Sequence, residues 1–282
     1  MTPKQANALL PDKPTSKIIK PEKLSYLLIA QPKWGKTKFF MQFPNALLLA
    51  FESGHSFQRG YKIVIDKWDQ HRGKFEPTKD DEGCSHMTMI QAVEVLEASD
   101  KFDFVIIDTA DMAVKMCVDY ECGKRGVEHP ADAGDFGKGW DLTMTAPFRK
   151  AMLRILKTGR GIGFITHTKV EIAKFSTGEV ARKESTLPKG PMAFVHGQAD
   201  IVMHGEFGRK NAGRRLRDRI LVCEGDMDTM AGNRTGTMLP ARYIVSPDKT
   251  WEQFKSFFTD ATAADKAELE YKSSLAKKAK RK

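Results

Sequence analysis

The chain has 282 residues, 41% of them hydrophobic and 29% charged, with a formal net charge of +10; this supplies one large core or two small ones and excludes a disordered chain. No run approaches the roughly 18 apolar residues of a membrane span, and residues 1–7 lack the apolar core of a signal peptide, so the expectation is a cytoplasmic protein with no membrane partner. The scattered cysteines Cys84, Cys117, Cys122 and Cys223 fit reduced thiols better than a disulfide framework, and Cys117 and Cys122 with His129 lack the second pair that a zinc site needs.

In chain order, residues 1–20 are rich in proline and lysine with little apolar periodicity, and read as a flexible arm. The folded domain is expected over residues 21–260. It opens with an apolar strand near Leu24 that runs into Ala30, Gln31, Pro32, Lys33, Trp34, Gly35, Lys36 and Thr37. Those eight residues fit the phosphate-loop pattern G-x-x-x-x-G-K-[ST], with alanine in place of the first glycine. Such a loop turns successive backbone N–H groups toward phosphate oxygens. Lys36 is expected to neutralise the outer phosphates of ATP, and Thr37 to ligate Mg²⁺. Ala30 is compatible with that geometry only if its φ is negative, because a Cβ forbids the angles that glycine allows.

A second strand over residues 46–51 ends at Glu52, an acid placed to orient or deprotonate an attacking water. Residues 66–84 are polar and glycine-punctuated, and read as loop or edge structure. A helix is expected over 88–98 from the apolar spacing of Ile90, Val93, Val95 and Leu96. Next comes the β-branched run Val105, Ile106, Ile107, closing on Asp108, a buried parallel strand with a carboxylate at its C-terminal end. Beside a phosphate loop, Asp108 is the natural acid of the Mg²⁺ shell, acting through water or Thr37. A helical segment over 110–122 leads to the glycine-rich stretch 134–140, a helix over 147–158 and a strand over 161–167 that ends at His167. Strands over 199–204, 219–223 and 241–245 and a helix over 251–258 follow. Open α/β sheets bind ligands at the carboxyl ends of their strands, which is where Glu52, Asp108 and His167 fall.

The order of phosphate loop, Glu52, Asp108 and His167 resembles the RecA-type ATPase core. More closely, the chain resembles the phage-encoded nucleotide-binding proteins of that superfamily, including RecA-like single-strand annealing proteins. The residues that carry the likeness are the run 105–109, His129, Pro130, Ala131 and Asp132 with the glycine-rich 136–140, the segment 164–169, and Asn233, Arg234, Thr235 and Gly236. The likeness spans residues 22–258. It implies an α/β fold, a RecA-like P-loop NTPase core with a mainly parallel central sheet flanked by helices. It also implies that Glu52 is the catalytic glutamate, that His167 is a sensor of the outermost phosphate, and that Arg234 reaches ATP held by a neighbouring subunit. The last role requires a homo-oligomer, a ring or a filament, in a setting of phage replication or recombination proteins.

The same likeness implies single-stranded DNA as a partner. Residues 169–189, with Lys174, Arg182, Lys183, Lys189 and Phe175, form one candidate surface, since basic and aromatic residues together follow phosphates and stack bases. The cluster Arg209, Lys210, Arg214, Arg215, Arg217 and Arg219 suits a DNA contact or a subunit contact equally. Residues 261–282 read as a basic tail; Lys272, Lys277, Lys278, Lys280, Arg281 and Lys282 account for six of the ten excess charges and suit a polyanion through counterion release. Two other functions fit the sequence: an ATPase that loads or remodels a replication protein, and a non-catalytic nucleotide-dependent DNA-binding module.

Overall fold

In a computed structural model, Gln5 and residues 20–52, 59–70, 76–81, 83–175, 178–208, 218–226 and 228–279 are described. At 173–175, 178–180 and 277–279 this covers the backbone alone. The expected N-terminal arm therefore lies almost wholly outside the described residues, as do Arg209, Lys210, Arg214, Arg215 and Arg217.

The strands are β1 (Ser25–Ala30), β2 (Ala46–Ala50), β3 (Tyr61–Lys67), β4 (Thr78–Lys79), β5 (Ser85–Thr88), β6 (Phe104–Asp108), β7 (Gly161–Phe175), β8 (Gly178–Ser185), β9 (Ile201–Phe207), β10 (Arg219–Val222), β11 (Gly232–Asn233) and β12 (Arg242–Ile244). The principal helices are α1 (Lys36–Phe40), α2 (Met89–Ala98), α3 (Ala110–Arg125), α4 (Ala146–Lys157), α5 (Lys189–Gln198), α6 (Thr250–Thr259) and α7 (Ala263–Ala279).

The sheet order is β12-β10-β9-β1-β7-β6-β2-β3-β5-β4, with β11 added to β9 and β8 to β7. Pairing is parallel from β9 through β1, β7, β6, β2 and β3 to β5. It is antiparallel at both flanks, where β10, β11 and β12 extend one side and β4 the other. The sheet is thus mixed, parallel only in its centre. β1 and β6 are not neighbours, because β7 runs between them.

Alternate residues of the central strands feed two cores, as the period of two in a strand requires. Leu27, Ile29, Leu47, Leu49, Val105, Ile107 and Phe164 meet Val93, Leu96, Val114, Phe148 and Ile155 of α2, α3 and α4 on one face. Tyr26, Leu28, Leu48, Phe104, Ile106 and Ile165 meet Phe39 and Phe40 of α1 and Phe254 and Phe257 of α6 on the other. That second core is dense in aromatic rings. Phe40 lies 5.5 Å from Phe104 and 5.8 Å from Tyr26, and Phe254 lies 5.9 Å from Phe39, measured between centroids. Gly163 makes room for them: a Cβ there would stand 3.0 Å from the Phe40 ring and 3.1 Å from that of Phe104.

Helix α1 is only five residues long, too short to hold itself in water, so its orientation comes from this aromatic packing. Helix α2 begins with a full capping box, in which Thr88 Oγ1 accepts from Gln91 N–H and Gln91 Oε1 accepts from Thr88 N–H. Within the expected basic tail, the described residues 263–279 form helix α7. Ala264 is buried, and Glu268 Oε2 accepts from the Ala241 N–H at 3.2 Å beside β12. The alanines at 263, 264 and 267 supply an apolar stripe that the lysine content masks in the sequence. Lys280, Arg281 and Lys282 lie outside the described residues.

Cys84, Cys117, Cys122 and Cys223 are buried free thiols. Among the described residues no helix is long and apolar enough to cross a membrane.

Because α1 holds the phosphate loop by its phenylalanines, Phe40→Ala should lower the unfolding free energy by about 3–5 kcal/mol. Urea denaturation followed by circular dichroism measures this, and a loss below about 1 kcal/mol would contradict the anchoring role.

Candidate nucleotide site

Parallel pairing sets the site level across the strands. β1 ends at Ala30, opposite His167 of β7 and Gly205 of β9, while β6 ends at Asp108, opposite Ala50. The chain leaving each strand therefore opens on one edge of the sheet. A cleft of about 510 Å³ lies there, lined by Pro32, Lys33, Gly35, Lys36, Thr37, Lys38, Glu52, Asp108, Thr109, His167 and Arg219.

The loop is seated from below by Trp34. Its indole is 1% exposed, and its Nε1–H donates to the carbonyl of Glu206 at 2.9 Å. A Cβ on Gly205 would stand 2.6 Å from Trp34 Cε2 and 2.7 Å from Ala30 Cβ. Gly205 thus leaves the space that the alanine and the tryptophan of the loop fill. Ala30 is absent from the residues with positive φ, whereas Lys33 (φ 65°) and Gly35 (φ 97°) are left-handed. The condition that the sequence sets on Ala30 is met, because the unusual angles fall further along the loop.

Lys36 is buried, and its ammonium donates to the carbonyls of Ala30 at 3.0 Å and Gln31 at 3.3 Å. Burial lowers its pKa, against the opposing pull of Asp108, Asp111 and Glu52. Thr37 Oγ1 donates to Asp108 Oδ2 at 2.7 Å. Asp108 has a raised pKa, chiefly through burial; the Thr37 hydrogen bond opposes the rise and the nearby Glu52 charge adds to it. Glu52 is exposed, but Thr109 Oγ1 donates to its Oε1 at 2.7 Å. The same hydroxyl caps α3 by accepting from Met112 N–H. The Asp108–Thr109 peptide is cis.

The structure brings Lys36, Thr37, Glu52, Asp108 and His167 together around one cleft. It also adds Asp111, which sequence reasoning missed. Asp111 Oδ2 accepts from His167 N–H at 3.2 Å and lies 3.6 Å from His167 Nδ1, and Oδ1 accepts from Thr186 Oγ1 at 2.5 Å. The available signal was its place three residues after Asp108, in the first turn of a helix, where acids are favoured.

Arg234 is not brought to this cleft. It follows β11, which pairs with the opposite, N-terminal end of β9. Its guanidinium donates to the carbonyls of Gly197 at 2.9 Å and Gln198 at 2.8 Å and to Asp200 Oδ1 at 3.2 Å. The last carbonyls of α5 lack intrahelical partners, and Arg234 satisfies them in its own chain. Arg219, expected at a DNA or subunit contact, instead lines the cleft.

A phosphate loop, a threonine bonded to a strand-end aspartate and a lysine between them define a P-loop NTPase. The chain belongs to the AAA domain family AAA_24, whose model matches residues 22–235. No curated protein matches it. Among solved structures it is similar to a KaiC-like protein of the hyperthermophilic archaeon Pyrococcus horikoshii OT3, at 14% identity and a TM-score of 0.40 over 80% of this chain and 88% of that one. That likeness is too distant to add to the family assignment.

Two outcomes follow from this packing. Gly205→Ala should push Trp34 and Ala30 out of place, costing about 1–3 kcal/mol and weakening nucleotide binding, as read by urea denaturation and titration with a fluorescent ATP analogue. His204 beside it is 1% exposed. Burial lowers its pKa from 6.5 to about 4; Glu206 and Asp226 oppose the shift, and Lys183 and Arg242 add to it. The unfolded chain then binds the extra proton first, so stability should be flat above pH 6.5 and fall as pH drops toward 4. Melting temperatures across that range, compared with His204→Gln, isolate the His204 share as a shallower slope in the variant.

Proposed function

We propose that the chain is an ATP-hydrolysing, RecA-like protein that couples turnover to single-stranded DNA and promotes annealing or recombination among phage proteins. The observation that carries the nucleotide part is the 2.7 Å hydrogen bond from Thr37 to Asp108, next to a lysine held by the carbonyls of its own loop. A hydroxyl and a carboxylate are hard oxygen donors, and the pair fits a Mg²⁺ that keeps most of its water. When bound, Mg²⁺ supplies charge neutralisation to the polyphosphate.

The protein's own groups then divide the work. Lys36 exchanges the carbonyls of Ala30 and Gln31 for phosphate oxygens. Glu52, fixed by Thr109, orients the attacking water. His167 stands level with the end of β1, where it meets the outermost phosphate.

The DNA part rests on the family resemblance and on one feature of the fold. β7 continues beyond His167 into a hairpin with β8, pairing Thr168 with Ser185 through Phe175 with Gly178. Residues 169–189 are therefore mainly a two-stranded arm rather than a loop, and it carries Lys169, Arg182 and Lys183. A homo-oligomer, ring or filament, would array these arms along a strand of DNA.

A second reading has its own support. On the arm, Lys169 pairs with Glu171, Arg182 lies 3.8 Å from Glu184 and Lys183 lies 2.5 Å from Glu206, while Val170 and Ile172 are each 66% exposed. Compensated charge beside an apolar stripe favours a protein partner, as in a loader or remodeller of replication proteins.

Turnover of ATP by the purified protein, with and without oligothymidylate, separates the two. Stimulation by DNA is the expected result, with Lys36→Ala reducing the rate by about 100-fold or more. A rate indifferent to DNA would favour the protein-directed reading, and an unimpaired Lys36→Ala variant would remove the site assignment itself.

A further inference from the structure

Arg219 opens β10, an antiparallel strand paired to β9, with Arg219 opposite Phe207 and Leu221 opposite Gly205. Since Gly205 is level with Ala30 at the root of the phosphate loop, the start of β10 overhangs the loop. The guanidinium lies flat on Gly35: a Cβ there would stand 2.7 Å from Nη1, 2.8 Å from Cζ and 3.2 Å from Nη2. Gly35, held at φ 97°, offers bare backbone to this approach.

Among the described residues the charge of this guanidinium is not spent elsewhere. Arg154 is bonded to Glu97, Arg160 to the carbonyls of Leu96, Ser99 and Phe102, and Arg242 to Glu206 and Asp226. Arg219, half-buried, has no hydrogen bond or ion pair from its side chain to any described residue. It shares the cleft with the cations Lys33, Lys36 and Lys38 and with the carboxylates Glu52 and Asp108, of which Asp108 is taken up by Thr37 and Glu52 by Thr109. A half-buried guanidinium that neither carboxylate pairs with is left short of hydrogen-bond acceptors, and an anion entering the cleft supplies them. A planar fork of donors against a cleft also matches phosphate oxygens in a way that a single ammonium does not.

We propose that Arg219 is a nucleotide-contacting residue acting within its own chain, its guanidinium turning from Gly35 onto the polyphosphate of the bound nucleotide. The inference rests on the nucleotide reading of the cleft. It assigns to an in-chain strand the arginine that the sequence placed at Arg234 and in a neighbouring subunit.

The test uses the full chain in four forms: wild type, Lys36→Ala, Arg219→Ala and Arg219→Lys. Binding of a fluorescent ATP analogue and ATP turnover are measured, with thermal melts to show that each variant is folded. Arg219→Ala should weaken binding and turnover by about ten-fold or more, and Arg219→Lys should recover part of the binding and little of the turnover. Mixing Arg219→Ala with Lys36→Ala should restore nothing, because both groups serve the same cleft of one chain.

Arg219→Ala and Arg219→Lys both within two-fold of wild type, with Lys36→Ala impaired, would overturn the role of Arg219 and leave the nucleotide site standing. Recovery of turnover on mixing would place the arginine in a neighbour's site and equally overturn it. Failure of the wild type to bind the analogue would remove the nucleotide reading and this inference with it.

Discussion

The parallel register of β1 with β7 and β9 is the constraint on which the site depends. It sets Ala30, His167 and Gly205 at one height. The phosphate loop can then lie across β9, with Trp34 over Gly205, while His167 faces the same opening from the other side. A slip of one residue would exchange the faces of a strand. Here it would turn Tyr26 and Leu28 into the core that now receives Leu27 and Ile29. The two cores are therefore what hold the edge that carries the cleft in register, and the aromatic core has the further task of fixing a helix too short to fix itself.

The consequence is a loop with little freedom at its root and more at its rim. Ala30 and Trp34 are almost fully buried, and the indole is hydrogen-bonded to a strand carbonyl. Gln31 and Lys33 are exposed. Lys36, bridging the two regions, has its ammonium satisfied by loop carbonyls rather than by a carboxylate. Asp108 is free of the lysine and is held by Thr37, so the cation and the acid are kept apart until something with its own charge comes between them.

Much of this was legible along the chain, and the parts that were not share a physical reason. The loop, Glu52, Asp108 and His167 are local signals, each a short motif or a strand end. So was α2, through the spacing of its apolar residues. Helix α5 was hidden because Gly190, Pro191 and Gly197 lower its propensity; Gly190 is there because a Cβ would meet Thr145 Oγ1 at 2.3 Å, a contact no window of sequence contains. Strand β3 was missed because Lys62, Asp66 and Lys67 break its apolar pattern at the sheet's outer side. Arg219 read as one of a cluster of arginines, since only the antiparallel return of β10 onto β9 gives it a cleft to face. Arg234 read, by resemblance, as reaching a neighbouring subunit's ATP, and its capping contacts were hidden because the helix end it caps lies more than thirty positions away.

Helix α7 bears on how the DNA proposed above as a partner would be met. Its seventeen residues span about 25 Å at 1.5 Å each. It is fastened near its start, where Ala264 is buried and Glu268 is bonded beside β12. The lysines toward its far end are thus carried on a stiff boom instead of a loose thread. A thread searches a wide volume and surrenders that freedom whenever it binds. A boom has already given the freedom up in folding, so its charges reach fewer places and lose less on arrival, and the direction of approach is set by the domain to which it is bolted.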